Sequence, residues 1–374
     1  MASLSLYVRA CRDLDHVPAA AIVEALSVSP EDGATEHPIT LSNAALSSSD
    51  VAALAHALRL CAPTTLDLSG NEIDADAAGD ITEALVSLRA AAPGHRRRRV
   101  KTISLARNPG MGDAGAAIIA TRLLCNAACA ASLESLDLSE CDIGDAGCVR
   151  LADALAADVG LSSRRLSALR LNGNAIGDAG ADAIACALCG AGASTVPLHL
   201  AELSLSDNAI GDEGASAIAR AISSGRCRSL QTLELAMNRI TGMGVDALLE
   251  AVFAPSGGGA DGALAAGTGM RHLDVSGSPL TLLGAGLVAA ALQQQQQQHH
   301  NAEEGTAATR VVDLLLGDAA CDAAQSTVAE AIERAASAVA SGAVMRVALG
   351  RIHLGEQTRK GGAPAARCTA RTFQ

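Results

Sequence analysis

The segment Leu166 to Leu188, LSALRLNGNAIGDAGADAIACAL, sets the apolar rhythm of the chain. Leu166, Leu169 and Leu171 stand at strand spacing and a turn follows through Asn174. From about Asp178 the residues Ala183, Ile184, Ala187 and Leu188 fall on one helical face. Such a unit cannot bury its own apolar side and must stack on copies of itself. The last strand leucine recurs as Leu41, Leu68, Leu105, Leu138, Leu171, Leu205, Leu235, Val275 and Leu314, with Leu349 in a closing strand. The pattern predicts one elongated α/β solenoid over residues 37–355, with surplus residues confined to loops after the helices.

The flanks differ. Residues 1–36 carry Leu6, Val8, Leu14, Val17, Ile22 and Leu26 at helical spacing, as expected of a cap over the first repeat. Residues 356–374 are polar and basic without an apolar period and read as a disordered tail. Three loops have unusual composition: the one holding Arg96 to Arg99, the Gly- and Ala-rich stretch Ser256 to Thr268, and Gln293 to Gln298 leading into His299 and His300. Each reads as a mobile connection.

Composition narrows the chemistry. A net charge of -12 argues against general nucleic-acid binding and favours basic partners. Tyr7, Phe253 and Phe373 are the only aromatic residues, which disfavours stacked recognition of bases or sugars. The 11 cysteines are odd in number and lie in a long chain, so reduced thiols in the cytoplasm are expected. The first residues show no secretory leader, and no run is long enough to span a membrane. A monomer away from membranes is the expectation. The basic run Arg96 to Arg99 leaves nuclear import open.

The full unit reads L-x-x-L-x-L-x-x-N-x-I-G-D-x-G-A-x-x-I-A-x-A-L. Asn71, Asn108, Asn174, Asn208 and Asn238 occupy its asparagine, Cys141 takes the same place, and Gly115, Gly147, Gly180, Gly214 and Gly244 recur at one later position. This pattern resembles the ribonuclease-inhibitor-like class of leucine-rich repeats over residues 37 to 354. The resemblance implies a horseshoe with parallel strands on the concave side and helices on the convex side. Physics points the same way, because an inward amide at the strand-to-helix turn can bond the backbone of its own and the adjacent turn. The pattern decays where Ala44, Ser278 and Gly317 replace asparagine.

Motifs of catalysis and cofactor binding dissolve into the repeat. Gly110-Met-Gly112-Asp-Ala-Gly115 matches a dinucleotide fingerprint but aligns with the repeat around Gly147. Cys186 and Cys189 have C-x-x-C spacing without a second ligand pair, and read as buried small hydrophobes. No catalytic residue, metal site or cofactor is expected.

These features predict a non-enzymatic scaffold that binds a protein partner, through a basic segment, on its concave strand face. The residues expected to carry it are Asp67, Asp137, Arg170, Glu234, Asp274 and Asp313, each placed between two inward leucines. The alternative is a GTPase-activating protein of the Ran-directed kind, which shares this repeat class; its acidic carboxy-terminal region has no counterpart here. Family habit adds cytoskeletal or flagellar assembly as a setting.

Overall fold

The computed structural model describes residues 2–27, 38–59, 63–87, 100–157, 165–190, 198–253, 270–278, 283 and 287, and the backbone of 313–316 and 346–349. The expected basic loop, Gly- and Ala-rich loop, glutamine run and tail lie outside the described residues, as do residues 28–36 of the expected cap.

Ten short strands form one parallel sheet in chain order. They are β1 Pro38–Thr40, β2 Thr65–Asp67, β3 Thr102–Ser104, β4 Ser135–Asp137, β5 Ala168–Arg170, β6 Glu202–Ser204, β7 Thr232–Glu234, β8 His272–Val275, β9 Asp313–Leu316 and β10 Arg346–Leu349. The helices are α1 Ala2–Asp13, α2 Ala20–Ser27, α3 Ser48–Leu58, α4 Ala75–Ser87, α5 Gly112–Ile118, α6 Ala127–Ala130, α7 Asp145–Ala156, α8 Asp178–Cys189, α9 Asp212–Ser223 and α10 Gly242–Phe253. A π-helical turn, Ile119–Leu124, prolongs α5.

Alternation along each strand decides which side is core. The central residues of β1 to β7, from Ile39 through Leu233, and Leu273 in β8 are at most 1% exposed, and the leucine after each strand is buried with them. The residues on either side of each centre are mostly half-exposed. The helices lie on the apolar side, where Ile184, Leu188, Ile218 and Leu248 interlock with the strand leucines in one continuous core. Alanine fills many of the remaining helical positions. It is the strongest helix former and lets neighbouring helices approach closely.

The register corrects one expectation. Leu316, not Leu314, pairs in line with Leu349, and Val275 pairs with Leu316. Asp313 therefore stands opposite His272 and Arg346, while the partner of Asp274 is Leu315. Leu314 and Leu316 have the same parity, so alternation could not choose between registers two residues apart.

The amino-terminal helices close the first repeat. Tyr7 is fully buried, and its hydroxyl accepts the Ala19 N–H at 2.8 Å, fixing the path from α1 to α2. His16 Nε2 lies 2.7 Å from Asp50 Oδ1, joining this cap to α3. Asp50 also completes a capping box with Ser47 at the start of α3.

Burial alone would raise the Asp50 pKa, but hydrogen bonds from Ser47 and His16 outweigh it and hold the carboxyl below its ordinary value. A depressed folded pKa gives stability that is complete above the unfolded value of about 3.9 and is lost as pH falls through the folded value. Asp50→Asn should therefore flatten the acid limb of the stability curve below about pH 4. Urea midpoints measured across that range check this, and an unchanged slope would acquit Asp50.

Candidate functional site on the open strand face

The face turned away from the helices is built from two rows of strand residues in register. One row runs Thr40, Asp67, Ser104, Asp137, Arg170, Ser204, Glu234 and Asp274 through β1 to β8. The other includes Thr102, Ser135, Glu202, Thr232 and His272. Five of the six residues singled out from the sequence, Asp67, Asp137, Arg170, Glu234 and Asp274, share the first row. Asp313 falls in line with the second.

The acids are not idle. Oδ1 of Asp67 accepts the Ser69 N–H at 3.0 Å and its hydroxyl at 2.7 Å, and Asp137 holds Ser139 at the same distances. Asp274 holds Ser276 likewise, at 2.9 and 2.5 Å. These D-x-S turns stabilise the strand ends. They also fix the carboxylates, and the second oxygen of each has no hydrogen bond among the described residues.

Further along the row, Arg170 pairs with Glu202 at 2.7 Å, so one cation and one anion of the face offset each other. Ser204, which is buried, donates its hydroxyl to Glu234 Oε2 at 2.6 Å. Glu234 and Asp274 are direct register partners on adjacent strands.

Behind this face the asparagines form the ladder expected of them. Asn174 donates to the carbonyls of Leu171 and Asn172 in its own turn and of Leu138 in the preceding one, at 2.9, 3.2 and 3.0 Å. Its Oδ1 accepts the N–H groups of Cys141 and Ile143, both at 3.0 Å. Asn71, Asn108, Asn208 and Asn238 repeat the arrangement. Cys141 keeps only the donor half, its thiol pointing at the Leu105 carbonyl at 3.1 Å. At Ser278 a buried hydroxyl stands in that place, with no partner among the described residues.

A family model described as Leucine Rich repeat matches residues 130–152, 162–185, 197–219 and 226–249, which begin just before β4 and end within α10. The fold is an α/β leucine-rich-repeat solenoid. This solenoid is similar to a crystal structure of an internalin C2 from Listeria monocytogenes at 16% identity, covering 70% of this chain and 84% of that one, with a TM-score of 0.36. A second internalin of the same bacterium matches at 15% identity over 72% of this chain and 71% of that one, with a TM-score of 0.33. The structure of a TLR13-ssRNA13 complex matches at 13% identity over 80% of this chain but 34% of that one, with a TM-score of 0.31. A search of curated proteins finds no match.

The solenoid has a second ladder that sequence reasoning missed. The N-caps of α7, α8 and α9 are Gly144, Gly177 and Gly211, which have no side chain to cap with. The aspartate of the preceding repeat does it instead. Asp145 Oδ1 accepts the N–H groups of Gly177 and Gly180, both at 2.8 Å, and Asp178 does the same for Gly211 and Gly214 at 2.7 and 2.8 Å. Asp113 serves Gly144 and Gly147, and Asp212 serves Thr241 and Gly244. The signal was the recurring G-D-x-G, whose glycine was noted without its acid. The same contact disposes of the dinucleotide fingerprint, since Asp113 lies inside it and faces the next repeat.

The turn between strand and ladder is left-handed throughout. Asn43, Gly70, Arg107, Glu140, Gly173, Asp207, Met237 and Gly277 occupy the same place, with φ between 52 and 86°. The conformation turns each N–H onto the next repeat, as from Met237 to the Ser276 carbonyl at 2.7 Å.

Eight cysteines among the described residues are free thiols. Burial pushes Cys141, Cys148 and Cys227 up to about 12, which makes them poor nucleophiles. No described helix is long and apolar enough to cross a membrane.

Proposed function

We propose that this solenoid is a non-enzymatic scaffold that holds a partner protein through a basic segment laid on the open strand face. The observation that carries the reading is the one-sided sheet. Parallel sheets are ordinarily covered on both faces. Here helices occupy one side, and half-exposed polar residues line the other in β1 to β8. Strands about 4.8 Å apart make the whole sheet a strip roughly 40 Å long, ample for an interface of about 800 Å² per partner.

Charge supports a basic occupant. With Arg170 matched to Glu202, the other charged groups of the first row, Asp67, Asp137, Glu234 and Asp274, are all acidic. Two carboxylates about 5 Å apart repel by nearly 1 kcal/mol even in water, and a bound cation would relieve this. The helix that follows each of β1 to β7 and the asparagine ladder support placement in the ribonuclease-inhibitor-like class, and the free thiols suit a cytoplasmic setting.

Glu234→Gln with Asp274→Asn should leave the melting temperature unchanged or raised while weakening partner capture and flattening its salt dependence. Proximity labelling with the intact protein and this variant supplies the partner and the comparison. Equal capture with equal salt response would place the partner elsewhere.

A further inference from the structure

Among the described residues five large apolar side chains are exposed, and three of them fall in two successive repeats. Met237, Met243 and Leu283 are 66, 72 and 63% exposed. Met237 occupies the left-handed turn after β7, and Met243 lies in the first turn of α10. Leu283 stands eight residues past Val275, as Met243 does past Leu235, so the two hold equivalent places in successive repeats. In the three preceding repeats that place holds Ala146, Ala179 and Glu213, and the turn position holds Glu140, Gly173 and Asp207. The apolar edge therefore belongs to these two repeats alone among the described ones. Met237 already leans across its neighbour, since a Cβ on Gly277 would lie 3.0 Å from its sulfur.

The same two repeats carry the adjacent acids Glu234 and Asp274 on the open face. Glu234 and Met237 are three residues apart, a span of about 10 Å at most. A helix with its side chains is about 10–12 Å across. One helix lying over this corner can thus set one side on the carboxylates and another on the methionines. We infer that the edge formed by Met237, Met243 and Leu283, together with Glu234 and Asp274, is a docking site for a basic amphipathic helix of a partner protein. The inference rests on the scaffold reading above and adds the apolar half of the partner. Methionine suits the task, because its flexible thioether moulds to different apolar surfaces.

The test uses the full chain and three labelled synthetic peptides of about 18 residues, roughly five helical turns. One has lysine and arginine on one helical face and leucine on the other. The second has the same composition scrambled to abolish the faces, and the third replaces leucine by serine. Fluorescence anisotropy should show the amphipathic peptide binding best, with Met237→Ser plus Met243→Ser weakening it roughly tenfold. Methyl resonances of Met237 and Met243 should shift on adding that peptide to the unaltered protein, a readout independent of any folding defect. Unmoved methyl resonances, or equal binding of all three peptides, would overturn the docking site. If the acid variant weakens the peptides while the methionine variant does not, the basic-segment reading survives and this inference falls. Loss of self-association in the methionine variant, seen by sedimentation, would mean the edge joins two copies of this chain and would also overturn it.

Discussion

Asn108→Ala is expected to lower the free energy of unfolding by about 3 kcal/mol, because it strands two buried N–H groups at once and removes a donor from three carbonyls. Asn108 is 0% exposed and makes five hydrogen bonds. Its Oδ1 accepts the N–H groups of Asn71 and Ile73, both at 3.2 Å, and its amide donates to the carbonyls of Leu68, Leu105 and Ala106. Alanine leaves the N–H groups of Asn71 and Ile73 without that acceptor in a place water cannot readily enter, while the Leu68 and Leu105 carbonyls keep Asn71 Nδ2 and the Cys141 thiol. Asn174→Ala should act in the same direction but less, since Asn174 is half-buried. Met243→Ala is the control, as an exposed site should change stability by no more than about 0.5 kcal/mol. Urea unfolding at neutral pH measures all three, and a loss near 0.5 kcal/mol at Asn108 would show that the ladder is decorative.

Gly214→Ala is expected to destabilise by about 2 kcal/mol through overpacking. A methyl group there would meet Asp178 Oδ1 at 2.7 Å, Ile210 Cγ2 at 2.8 Å and Ala181 Cβ at 2.9 Å. Nothing in that triangle can yield cheaply, because the carboxylate is seated on the N–H groups of Gly211 and Gly214. Asp178→Ala removes that cap and should itself cost about 1 kcal/mol, the usual loss for an N-cap acceptor. The two changes share one seat, so their combination should fall short of the sum. Strict additivity in a thermal or urea double-mutant cycle would mean that the glycine is not there for the carboxylate.

The leucine and asparagine periods were legible because each is dictated by a single geometric need, an inward apolar side chain or an inward amide. They located β1 to β8 and the closing strand β10 in their true register. The ninth was misplaced because Leu314 and Leu316 both satisfy the same alternation, two residues apart. The aspartate ladder was hidden for another reason: acids in a first helical turn read as favourable to their own helix dipole, and nothing local says that Asp145 serves the helix after its own. On the open face the sequence aligned Asp67, Asp137, Arg170, Glu234 and Asp274 correctly. It could not show that Arg170 is matched by Glu202, because that residue lies one row away on the next strand. Nor could it show that the D-x-S turns occupy one oxygen of each aspartate.

The two ladders point in opposite directions along the chain. Each central repeat offers a carboxylate forward to the helix that follows it and an amide backward to the turn that precedes it. Any cut between such repeats strands polar groups on both sides of the break. A whole repeat inserted between two others, however, arrives with both halves of the clasp and leaves nothing unmatched. An array built this way can lengthen or shorten in whole units by duplication or deletion without redesigning a junction, while a fractional change is penalised at both of its borders.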